Sequence, residues 1–122
     1  MFTLYVKDTF SAAHRIDDYH GKCEALHGHN FKVEAFFEGQ EPRAGGMVVD
    51  FKILKGLLRE VLSSLDHRYL NEIDFFKERA GSSEYIALYI YGQLKGLLNV
   101  EGVTLKEVRV WESDSAYAAY RE

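Results

Sequence analysis

The chain has 122 residues, 47% hydrophobic and 14% aromatic, with a formal net charge of -4 and no long run of one sign. Such a composition builds one domain with a real core, which excludes a disordered segment and argues against a non-specific nucleic-acid binder. One cysteine makes no internal disulfide, no apolar run approaches the roughly 18 residues of a membrane span, and the opening MFTLYVKDTF has no basic leader, so a cytoplasmic protein is expected.

Residues 2–14 alternate. Phe2, Leu4, Val6, Phe10, Ala12 and His14 share one parity, and Thr3, Tyr5, Lys7, Thr9 and Ser11 the other, which predicts a half-buried strand ending on His14. Residues 15–26 are polar and irregular and carry Cys23. Alternation returns from His27 to Glu38, with His27, His29, Phe31, Val33, Ala35 and Phe37 on one face. Gly39, Pro42, Gly45 and Gly46 mark a loop.

Asp50 is a helix N-cap, followed at helical spacing by Leu54, Leu57, Leu58, Val61, Leu62 and Leu65. Ser82 or Ser83 caps a second helix with Ile86, Ile90, Leu94, Leu97 and Leu98 on its apolar side. Gly92 and Gly96 weaken that helix unless a neighbour packs closely on them. Residues 104–112 form a third strand, with Val108, Val110 and Glu112 on one side and Leu105, Arg109 and Trp111 on the other; 115–121 form a last one. The order β-β-α-α-β-β predicts an α+β layer: an antiparallel sheet with helices on one face. No repeat or linker interrupts it, so residues 1–122 are read as a single domain.

Three imidazoles at strand ends carry the chemistry. His27 and His29 point the same way on an extended chain, and His14 on a neighbouring strand could join them. Three neutral nitrogens with one open position are the ligands of a catalytic zinc; ligand type alone also admits iron, nickel or copper. The bland alternative is three ordinary strand histidines. Cys23 lies in a polar loop beside Lys22 and near these rings, which favours a reactive thiolate over a small buried apolar residue. Asp66-His67 follows the first helix, either as a helix-end cation or as a carboxylate–imidazole proton relay. Glu112 sits where parity predicts an apolar residue; it is either a wet strand end or a carboxylate that pairs with ligand N–H donors.

Taken together, Phe10-Ser-Ala-Ala-His14-Arg15, Cys23-x3-His27-Gly-His29-Asn30, Val49-Asp50-Phe51, Leu65-Asp66-His67-Arg68-Tyr69-Leu70-Asn71 and Val110-Trp111-Glu112 span nearly the whole chain. In these motifs the chain resembles the 6-pyruvoyl-tetrahydropterin and 6-carboxytetrahydropterin synthase family. The resemblance implies a tunnelling fold (T-fold), whose sheets join into a barrel, usually as a homohexamer built from two trimers. It implies zinc on His14, His27 and His29, and proton transfer by Cys23 with Asp66 and His67, the latter pair reaching in from a neighbouring subunit. It implies that Glu112 anchors a pterin ring, with dihydroneopterin triphosphate as the substrate class. The three residues between Cys23 and His27 resemble the carboxytetrahydropterin synthases of queuosine biosynthesis; the pyruvoyl synthases typically have a longer interval. Relatives often read Pro-Thr-x-Glu where this chain has Ser82-Ser83-Glu84. Arg15, Lys22, Lys52 and Arg68 are the cations available for a triphosphate. A pyruvoyl-type synthase and a non-catalytic pterin- or metal-binding subunit are the alternatives.

Overall fold

A computed structural model describes residues 1–14 and 27–122, with His27 described in its backbone alone. Two long strands, β1 (Phe2–His14) and β2 (His27–Gly39), pair antiparallel over their full lengths. The register sets Phe10 opposite Phe31, Ala12 opposite His29 and His14 opposite His27. The inward parity is the one the sequence predicts: Val6, Phe10, Ala12, Phe31, Val33, Ala35 and Phe37 are all buried. Phe10 and Phe31 stack with ring centroids 5.0 Å apart. Each buried ring or branched aliphatic chain contributes about 1.5–3 kcal/mol of transfer free energy.

Helix α1 (Phe51–Ser63) starts where Asp50 accepts the Lys52 amide at 2.9 Å, and it buries Leu54, Leu58, Val61 and Leu62 against the sheet. Leu65 is also buried but lies just past the helix end, in the turn that follows. A short strand β3 (Arg68–Tyr69) then pairs parallel with Ala12 and Ala13 of β1, and a one-turn helix α2 (Asp74–Lys77) buries Phe76. Both elements are too short to produce a periodic pattern, and the sequence does not announce them. Helix α3 (Ser83–Leu97) is capped by Ser82, which accepts the Tyr85 amide at 3.3 Å. It buries Ile86, Ala87, Ile90, Tyr91 and Leu94, whereas Leu97 is exposed, contrary to the helical reading. A Cβ added at Gly92 or Gly96 would meet nothing within 4 Å, so close packing within the described residues does not explain them.

Strands β4 (Val103–Ser113) and β5 (Ala116–Tyr120) complete a sheet of order β3-β1-β2-β4-β5. The register slips opposite Phe36 and Phe37, where Lys106 is the extra residue between Leu105 and Glu107. This bulge resets the alternation. Leu105 is therefore buried on the side of Val108 and Val110, not grouped with Arg109 and Trp111 as simple parity predicts. The result is an α+β layer, with α1 and α3 on one face of the sheet. The other face is amphipathic: Tyr5 donates to Glu34 Oε2 at 2.7 Å, the Trp111 indole N–H donates to the other Glu34 oxygen, and the Arg109 guanidinium lies 4.4 Å over the Phe36 ring. Burial and the hydrogen bond to Glu34 push the Tyr5 phenol up to about 12. Among the described residues, no helix is long and apolar enough to cross a membrane.

Candidate active site

The last inward position of β1 is His14, and its ring is fully buried. Its Nδ1 lies 2.5 Å from the carbonyl oxygen of Gly81, the residue before the α3 N-cap. A carbonyl only accepts, so Nδ1 carries a proton toward it, and Nε2 is the nitrogen turned to the site. Gly81 fits because it has no side chain: a Cβ there would lie 3.3 Å from His14 Cβ.

His29 comes to the same place from β2. The two imidazoles meet edge to face with centroids 5.0 Å apart, and both rest on Phe31, at 5.4 and 5.6 Å. Glu112 arrives from β4, at a second break in register between Trp111 and Ser113. Its Oε1 lies 3.4 Å from His14 Nε2 and 3.3 Å from His29 Nε2. The ligand atoms of His14, His29 and Glu112 all fall within 4.8 Å of one another, a donor set that fits a divalent metal ion. The backbone register sets His27 across from His14; its side chain, like Cys23, Arg15 and Lys22, lies outside the described residues. Glu112 also lines a cavity of about 190 Å³ with Ser83, Glu84, Ala116, Tyr117 and Ala118. Ser83 Oγ is buried there with no hydrogen-bond partner among the described residues.

Asp66 and His67 form a second station at the outer edge of β1. The Ser11 amide donates to Asp66 Oδ1 at 2.9 Å, and the His67 amide donates to Ser11 O at 2.6 Å. His67 takes φ 59°, a left-handed conformation that turns its ring back so that Nδ1 lies 3.1 Å from Asp66 Oδ1. Adjacent residues normally diverge, and this backbone twist brings them together. The Ser11 amide, with His67 and Arg59 nearby, holds the Asp66 carboxyl below its ordinary range. The His67 side chain is 83% exposed. It lines an open groove of about 460 Å³ with Ser11, Ala13, Gly28, Asn30 and Arg68, and His29 borders the same groove.

The fold brings His14 and His29 together and makes Asp66 and His67 a contacting pair. The sequence pattern misses Gly81 as the acceptor that His14 Nδ1 faces; its only signal is a glycine before a serine cap.

A family model described as 6-pyruvoyl tetrahydropterin synthase matches residues 3–122. The chain belongs to this family. A Synechocystis protein named 6-carboxy-5,6,7,8-tetrahydropterin synthase is 34% identical over 125 residues, covering 98% of this chain and 93% of that one. Human 6-pyruvoyl tetrahydrobiopterin synthase is also 34% identical, over 127 residues, covering 93% of this chain and 86% of its own. The solved structure of Caenorhabditis elegans 6-pyruvoyl tetrahydropterin synthase superposes with a TM-score of 0.88 at 31% identity, covering 99% of this chain and 95% of that one. The tunnelling fold of the pterin synthases is therefore the fold of this chain, and tetrahydropterin synthase chemistry is the activity of its family.

Proposed function

We propose that this chain is a zinc-dependent 6-carboxytetrahydropterin synthase, a carbon–oxygen lyase. It would convert 7,8-dihydroneopterin triphosphate and one water to 6-carboxy-5,6,7,8-tetrahydropterin, triphosphate and acetaldehyde, in the cytoplasmic route to queuosine. The observation that carries the metal site is the convergence of His14 Nε2, His29 Nε2 and Glu112 Oε1. The spacing Cys23-x3-His27 and the Synechocystis relative support the carboxy-type product.

His14, His27 and His29 would hold the zinc. Bound there, the ion would supply a Lewis acid for the oxygens of the substrate side chain. Gly81 keeps the His14 ring oriented with Nε2 toward it. Cys23 would take the proton from the carbon beside the ring. Asp66, anchored by the Ser11 amide, would fix the His67 ring and raise its basicity for the return of that proton. Glu112 would accept the guanidine-like N–H edge of the pterin.

His67 is exposed at the outer edge of β1, a position from which it could serve the site of a neighbouring copy. Among the described residues, β3 covers the outer edge of β1 only at Ala12 and Ala13. An uncovered strand edge is a template for pairing, which supports assembly of sheets into a barrel and a homohexamer.

A 6-pyruvoyl tetrahydropterin synthase is the second reading, favoured by the names of the human and C. elegans relatives. Incubation of zinc-loaded protein with dihydroneopterin triphosphate and mass analysis of the products separates the two. Acetaldehyde and a carboxylated ring are expected. A retained three-carbon side chain would move the assignment to the pyruvoyl type, and pterin binding without turnover would leave a non-catalytic binding subunit.

A further inference from the structure

Glu112 faces both imidazoles at once, at separations that match the spacing of ligand atoms around one ion. A charge-assisted N–H···O contact is about 2.7–2.9 Å long. The Glu112 Oε1 separations are 3.4 Å to His14 and 3.3 Å to His29. Two ligand atoms each about 2.0–2.1 Å from a tetrahedral ion lie about 3.3–3.4 Å apart, the edge of the tetrahedron.

We propose that Glu112 is a displaceable metal ligand. Its carboxylate closes the coordination of the ion in the substrate-free protein, and it moves off into the adjoining cavity when a pterin ring binds. That cavity is in place beside it, lined by Ser83, Glu84 and Tyr117. The register break at Glu112 takes its side chain out of the regular strand alternation, at the border between the imidazoles and this cavity. This inference rests on the pterin-synthase reading, because the ring edge is what draws Glu112 away. One carboxylate would thereby couple ring recognition to the opening of a position on the ion.

The test uses cobalt(II) as a spectroscopic stand-in for zinc, and unsubstituted pterin as the ring without a reactive side chain. In Glu112→Gln, cobalt should bind about tenfold or more weakly than in the wild type, with an altered visible band. Saturating the wild type with pterin, followed by ring fluorescence, should move its cobalt band toward that of the variant. This second arm needs no variant and stands if Glu112→Gln fails to fold. A folded Glu112→Gln with unchanged cobalt affinity, or a wild-type cobalt band that pterin saturation leaves unmoved, overturns the proposal. If the variant keeps full cobalt affinity while losing pterin binding and turnover, the exchange fails and the synthase reading survives. A wild type that binds neither cobalt nor pterin defeats both.

Discussion

The two ends of the candidate site are built on opposite terms. His14 is enclosed, fixed by Gly81 and Phe31, and aligned with His29 and Glu112 from two other strands. His67 is mostly in solvent, held through its backbone and Asp66 rather than by packing. Both hang from the same strand: His14 from the inward parity of β1, and the Asp66–His67 turn from the amide and carbonyl of Ser11. Under the proposed function, the His14 end would hold the metal, a task that suits fixed rings and a buried wall. The His67 end would move protons, and its exposure suits work on a substrate held elsewhere.

The largest expected effect separates the ends chemically. Asp66→Asn should lower turnover by about 10²–10⁴-fold while zinc content stays at the wild-type level. If the relay serves a neighbouring copy, refolding Asp66→Asn together with His29→Ala should restore part of the activity that each lacks alone. No recovery in demonstrably mixed oligomers would assign both stations to one chain. Cys23→Ala should resemble Asp66→Asn, with zinc kept and turnover lost; full activity in that variant would reject the proton-transfer scheme.

A smaller effect is expected at Gly81→Ala. The added methyl would crowd His14 Cβ at 3.3 Å and shift the ring, weakening zinc binding about tenfold without touching the relay. Competition against a chelator measures it, and an unchanged affinity would show that Gly81 does not position His14. The smallest concerns Tyr5, away from both ends. Its phenol is raised to about 12 in the folded chain, so its contribution to stability is complete below the ordinary tyrosine value of about 10 and is lost as pH climbs from there through the folded value. Tyr5→Phe should cost about 1 kcal/mol at neutral pH and flatten the alkaline arm of the stability curve. Denaturant titrations between neutral pH and the alkaline limit would show whether that arm changes. Asp66 acts in the other direction: its lowered carboxyl stabilises the fold above its ordinary value, and that contribution is lost as pH falls through the lower folded one.

Alternation made most of the fold and the inner wall of the site legible, because a period of two carries Phe10, Ala12 and His14 to one face and His29 and Phe31 to the same one. It failed at Leu105, since a bulge is a property of two strands and only one is visible in a local pattern. It could not give the Gly81–His14 contact, 67 residues apart in sequence, or the left-handed turn at His67 that closes the Asp66 pair. Glu112 stood out as a carboxylate on an apolar face; its closeness to two imidazoles depends on three strands meeting.

The division of labour is tested most directly by zinc content and turnover measured side by side in the wild type, His29→Ala and Asp66→Asn. About one zinc per chain is expected in the wild type and in Asp66→Asn, with turnover only in the wild type, and His29→Ala should lose metal and turnover together. Full zinc in a folded His29→Ala, or wild-type turnover in Asp66→Asn, would contradict the account.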